Sequence, residues 1–164
     1  MPESRRIVVV NATPLIALTL IDRLDLLQAL YGQVTIPGAV QGEVLAGGRE
    51  GRAAVDVSRL PWVRVVRLQD ATLADLLVDL DRGEAEVLAL ALEMRADLVI
   101  LDERLARRHA QRLGLLLTGT LGVLLGAKQR GLISQVAPLL DQLRQSGIWL
   151  NEAVVSEALR LAEE

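Results

Sequence analysis

The chain has 164 residues, 51% of them hydrophobic, a formal net charge of −3 and no cysteine. Its length suits one domain with a sizeable core, and its apolar content argues against disorder. Disulfides and thiolate metal sites are excluded, the redox compartment is left open, and the acidic balance argues against indiscriminate polyanion binding. Phe is absent and Tyr31, Trp62 and Trp149 are the only aromatics, so a base-stacking platform is not expected. A nucleic-acid ligand would have to be held by its backbone and shape. No apolar run reaches the roughly eighteen residues of a membrane span. The short run after the basic pair Arg5-Arg6 reads as a strand rather than a signal-peptide core, which gives a cytoplasmic expectation and no membrane partner.

In chain order, Ile7 to Val10 read as a β-branched strand ending at Asn11. Thr13-Pro14 then suggests a helix start, with Thr13 as N-cap, and helical segments run to Tyr31 with a break near Asp22 and a stop at Gly32. Val34 to Ile36 form a second strand, and Pro37 opens a helix carrying Glu43 that closes at Gly47-Gly48. Residues 49–60 read as an amphipathic helix, and Trp62 to Leu68 as a strand nearer the sheet edge. A short helix near Ala71 to Leu77 precedes a buried one running from Asp81-Arg82-Gly83-Glu84 to Met94.

The central stretch, Arg95 to Thr120, contains an apolar strand (Leu98 to Leu101), Asp102, a basic helix (Arg104 to Leu113, stopped by Gly114), a strand (Leu115 to Leu117) and Thr118-Gly119-Thr120. Helices are expected over Leu121 to Arg130, Ser134 to Gln145 and Glu152 to Ala162. The last carries an apolar stripe of Val154, Val155, Ala158, Leu159 and Ala162, first a core cover and second a dimer or antitoxin surface. The alternation gives a three-layer α/β domain with a mainly parallel central sheet flanked by helices, a single domain over 1–164 with its core at about 7–133 and C-terminal helices at about 134–162.

Ligands of open parallel sheets sit beyond the carboxyl ends of the strands. Asn11 and Asp102 end strands there, and Glu43 and Glu84 lie on helices that can reach the same place. Carboxylates gathered in one cleft repel unless a cation compensates. A hard divalent ion such as Mg²⁺ is the natural partner, and it can activate water and neutralise the charge of a phosphodiester. Each acid also has a plain structural explanation. Asp102 suits the cap of the helix after it, Asp81 and Glu84 have the spacing of a capping box, and Glu43 suits a solvated helix face. Glu86 lies about 200° round the helix from Glu84, so the two cannot point the same way.

Val8 to Ala17 (VVVNATPLIA), the helix bearing Glu43, GEAEVLALA at 83–91, ADLVILDERLARRHA at 96–110 and LLLTGTLGVLLGAK at 115–128 resemble the PIN-domain nucleases, most of all a toxin-like prokaryotic branch of VapC-like ribonucleases. The resemblance covers about residues 7–133. It implies a PIN fold and a metal-dependent endoribonuclease using Mg²⁺ or Mn²⁺ on RNA, and it leaves room for the toxin of a toxin–antitoxin pair, a small antitoxin protein and a homodimer. By position, the family's acidic quartet falls on Asn11, Glu43, Glu84 and Asp102, with Glu86 as an alternative metal ligand to Glu84 and Thr13 in the supporting position two residues after the first acid.

Asn11 departs from that pattern, which has Asp first: an amide oxygen still ligates but carries no net charge. A catalytically weakened PIN module that binds RNA or a protein without cutting is therefore the rival reading. Arg104, Arg107 and Arg108 form either a solvated face or an RNA-phosphate patch near Asp102. His109, the only histidine, reads as a helix-surface residue. Thr118 and Thr120 are supporting residues, with Thr120 read as an N-cap because the Gly-Lys-Ser/Thr ending of a phosphate loop is missing.

Overall fold

The computed structural model describes residues 6–48 and 51–164 of the chain. Short β-branched and leucine-rich runs form the five strands: β1 (Val8–Val10), β2 (Val34–Ile36), β3 (Val63–Val65), β4 (Leu98–Ile100) and β5 (Leu117–Thr118). They make one all-parallel sheet in the order β3-β2-β1-β4-β5. β1, β2 and β4 are buried along their whole length, as expected of parallel strands covered on both faces. β3 shows two exposed residues of three, the mark of its edge position.

Nine α-helices among the described residues flank the sheet: α1 (Ala12–Leu20), α2 (Asp25–Tyr31), α3 (Gly38–Leu45), α4 (Thr72–Leu76), α5 (Arg82–Glu93), α6 (Arg104–Arg112), α7 (Thr120–Gln129), α8 (Ala137–Gln145) and α9 (Glu152–Leu161). Helix α5 lies against β1 and β4 and beside α3, α4 and α6, while α7 packs on α1, α2, α9 and β5. Ala85 and the run Val87 to Ala91 of α5 are all buried, which makes this helix the centre of one layer.

Four expectations change. Asn11, not Thr13, is the residue before the first helix, and Pro14 falls at its third position. Proline is tolerated there because the N–H groups of the first turn have no intrahelical partner in any case. The helix expected over 49–60 is not formed in its described part. Residues 51–56 are irregular, and only Val57–Arg59 make a single 3₁₀ turn; residues 49 and 50 lie outside the described residues. Val55 and Val57 are buried and Asp56 between them is exposed, so the apolar positions there follow a period of two. The last strand lies at Leu117–Thr118 rather than Leu115 to Leu117, because its pairing with β4 joins Val99 to Leu117 and Ile100 to Thr118. On α9 the stripe buries Val155, Ala158 and Ala162, whereas Val154 faces out.

No helix among the described residues is long and apolar enough to cross a membrane. Leu88→Ala, in the fully buried middle of α5, should cost about 2–5 kcal/mol of unfolding free energy in a urea titration. A loss well under 1 kcal/mol would show that α5 is not part of the core.

Candidate active site

From β1 the chain moves to β2 on one side, and from β4 to β5 on the other. The strand order therefore reverses between β1 and β4, and the crevice beyond their carboxyl ends is the ligand position of an open α/β sheet. Asn11 follows β1 there and Asp102 follows β4 after Leu101, with the Asn11 N–H donating to the Ile100 carbonyl at 3.0 Å.

A cleft of about 340 Å³ opens at this point, lined among others by Asn11, Thr13, Glu43, Arg52, Asp81 and Glu84. The point where a Cβ on Gly83 would sit is 3.5 Å from both Glu43 Oε2 and Asp81 Oδ1, so the Glu43 carboxylate lies beside the start of α5. Asp81 and Glu84 form a full capping box: the Glu84 N–H donates to Asp81 Oδ1 at 2.8 Å, and the Asp81 N–H donates to Glu84 Oε2 at 3.2 Å. The capping reading of these two residues thus describes their hydrogen bonds, and Glu84 still lines the cleft. Glu86 does not. Its Oε2 accepts from Arg82 Nε at 2.8 Å and its Oε1 from the Ala39 N–H at 3.3 Å. The helical spacing carries it toward α3, where these partners hold its carboxylate.

Asn11 is 3% exposed, and its Oδ1 is buried with no hydrogen-bond partner among the described residues. A buried acceptor left in this way carries a desolvation cost of about 1–3 kcal/mol. It marks a place where a ligand would find an unsatisfied oxygen.

Asp102 borders a second, broader cleft rather than the first, together with Arg104, Arg107, Arg108, Thr118 and Gly119. It does not cap the helix that follows it. Its Oδ1 accepts from the Thr120 N–H at 2.8 Å and its Oδ2 from the Thr120 hydroxyl at 2.6 Å, so it clamps the start of α7 to the end of β4. Thr120 is accordingly the first residue of α7, with Gly119 as N-cap, which corrects its reading as a cap. Glycine is required at 119: a Cβ there would meet Asp102 Oδ1 at 2.5 Å and Arg107 Nη1 at 3.1 Å. Burial pushes the Asp102 carboxyl above its ordinary range, opposed in part by the bonds from Thr120 and by the charge of Arg107.

Arg107 also donates to the Leu101 carbonyl at 2.6 Å, so part of its role is to hold the β4–α6 turn. Arg104 and Arg108 are exposed on the same cleft. His109 sits on α6, partly buried, its Nε2 2.9 Å from Asp79 Oδ2.

Three lining residues have no strong signal in the sequence. Arg52 donates to the Gly147 carbonyl at 2.8 Å, a contact across ninety-five positions. Asp81 was legible only as a cap, and Trp149 lines both clefts from the turn between α8 and α9.

The donor set suits a hard divalent cation: an orphaned amide oxygen at Asn11 and the carboxylates of Glu43 and Glu84 on one cleft, all oxygen. Among the described residues, no three His, Cys, Asp or Glu side chains form a group able to hold a metal ion by themselves. An ion there would lean on the Asn11 amide and on its own waters, as Mg²⁺ sites commonly do.

These features define an all-parallel α/β domain with an oxygen-lined cleft at its switch point. A family model described as PIN domain matches residues 7–164, and the chain belongs to the PIN-domain family. No curated protein and no solved structure matches it. Membership points to nuclease-type function; PIN domains generally use divalent metal ions, and PIN nucleases typically act on RNA.

Because the folded state holds the Asp102 proton more tightly than the unfolded chain, its contribution is greatest below the unfolded pKa of about 3.9 and is lost as pH rises through the raised folded value. In metal-free buffer, Asp102→Asn should therefore gain stability relative to wild type across that window and run parallel above it. A stability difference that stays constant across the whole range would contradict the raised pKa.

Proposed function

We propose that this chain, acting as a single PIN-like domain, is a divalent-metal-dependent endoribonuclease that hydrolyses RNA phosphodiester bonds. The observation that carries the reading is the buried, partnerless Asn11 Oδ1 at the β1–β4 switch point, on the same cleft as Glu43 and Glu84. In this reading Glu43 and Glu84 hold Mg²⁺ or Mn²⁺ directly or through water, and Asn11 supplies a neutral ligand or orients a water. Asp102 adds negative charge from the neighbouring strand through the lone pairs that Thr120 leaves open. When bound, the ion would activate water and neutralise charge developing on the phosphate. Thr13 lines the cleft beside Asn11. Arg104 and Arg108 neutralise RNA phosphates, while Arg107 shapes the turn that presents them. Service as the toxin of a toxin–antitoxin pair, with a small antitoxin protein or a second copy as partner, is the extension of this reading that the family resemblance supports.

A second reading, a weakened PIN module that binds RNA without cleaving it, is favoured by specific observations. Position 11 is uncharged, and the Asp102, Asp81 and Glu84 carboxylates already serve backbone N–H groups. Replacing the amide decides between the two. Two unit charges 4 Å apart interact by about 4 kcal/mol at an effective dielectric of 20. Even a third of that makes Asn11→Asp bind Mn²⁺ about tenfold more tightly, with faster cleavage of single-stranded RNA at low metal. Equal affinity in calorimetry together with equal cleavage rates would remove the metal site from this cleft. No cleavage by either protein at high Mn²⁺ would favour the binding module.

Reversing charge at the exposed pair, Arg104→Glu with Arg108→Glu, should weaken RNA binding and lower the slope of log K against log salt by about 0.7 per lost phosphate contact. An unchanged slope, measured by anisotropy from low to high salt, would assign these arginines to a merely solvated face.

A further inference from the structure

Trp149 is 81% exposed in a chain that has only two tryptophans and no phenylalanine. A single exposed apolar residue is ordinary in itself, but an indole presents a flat π-face on which a base can stack. Its surroundings are not loose. Arg52 donates to the Gly147 carbonyl at 2.8 Å on one side, and on the other the Asn151 side chain caps α9 by accepting from the Ala153 N–H at 2.9 Å. The turn that carries Trp149 is thus pinned from both ends, which lowers the ordering cost when its ring is covered.

Its position is the second observation. Trp149 borders both clefts: the oxygen-lined one with Asn11 and Glu43, and the basic one with Arg104 and Arg108. The ring is thus shared by the basic surface and the oxygen-lined one.

We infer that Trp149 is a stacking post for one base of single-stranded RNA, setting which phosphodiester reaches the Asn11–Glu43 cleft. The inference rests on the ribonuclease reading for its substrate class. Composition excludes an extended stacking platform, and one ring at the junction does a different job: it fixes register rather than providing most of the affinity. Stacking on a flat ring tolerates any base, because every base has a π-face. The cationic edge beside it selects a nucleic-acid strand over an apolar peptide. Duplex RNA cannot satisfy the post, since its bases are already stacked on one another.

The test uses a labelled single-stranded RNA of about 10 nucleotides, with binding followed by anisotropy in EDTA so that no cleavage occurs. Cleavage is measured in parallel with Mn²⁺. Because the ring is exposed, Trp149→Ala leaves the core intact, and it should weaken binding about 5- to 100-fold, while Trp149→Phe retains most of it. Trp149→Ala should also spread the cleavage positions along the strand. Quenching of Trp149 fluorescence by the RNA, read in a Trp62→Phe background, is expected as well. Binding by Trp149→Ala equal to wild type, tighter binding of a matching duplex, or no RNA binding by wild type would each overturn the stacking role. Trp149-dependent binding with no cleavage at any Mn²⁺ concentration would sink the ribonuclease reading and leave the post standing. Cleavage that persists unchanged in Trp149→Ala would do the reverse.

Discussion

Two adjacent parallel strands, β1 and β4, end side by side, and each is followed by an oxygen ligand, Asn11 on the first cleft and Asp102 on the second. Like charges so placed must be neutralised, hydrogen-bonded or separated, and the chain uses all three devices. Position 11 carries an amide in place of a carboxylate. Asp102 is bound by two hydrogen bonds from Thr120, with a carboxyl pushed upward by burial. Asp81 and Glu84 share their charge with the backbone N–H groups at the start of α5, where the helix dipole favours anions. The amide and these bonds lower the repulsion among the acids and so help to stabilise the fold around them. The cost of that stability is a site with less attraction for a cation than four free carboxylates would have.

The Asp102–Thr120 clamp has a second consequence. It fixes the start of α7 over the end of β4, and α7 in turn packs on α1, α2 and α9. Gly119 lets the two approach, and Arg107 locks the turn from the other side. The same contact that positions an acid therefore ties the C-terminal helices to the sheet. A change at 102 or 120 would be felt both in stability and at the cleft edge.

Much of the architecture was legible in the sequence because its signals are local. Val34–Ile36 is bounded by Gly32 and Pro37, and α6 stops at Gly114, whose φ of +74° suits glycine. The helical turn of 100° per residue separates Glu84 from Glu86 in advance, but which one faces the cleft depends on α3, and only the structure gives that. The 51–60 segment departs from a helix because Val55 and Val57, two residues apart, are both buried, a spacing that one helix face cannot bury and extended chain can. Asp102 departs from a local cap for a different reason. Asp before a helix is a good local cap, yet its partner lies eighteen residues on, across the sheet. Arg52 and Trp149 reach the clefts through contacts between distant segments, which no local pattern encodes.

Asn11 ties these threads together, because its Oδ1 is the one buried side-chain polar atom without a hydrogen-bond partner among the described residues. Anomalous diffraction from crystals soaked in Mn²⁺ addresses that oxygen directly. A peak in the cleft, with Asn11 Oδ1 and Glu43 among its nearest atoms, is expected in the wild type and should be stronger in Asn11→Asp. Soaked crystals of both proteins with no peak there, or with one only elsewhere on the surface, would contradict a metal centre built at the end of β1.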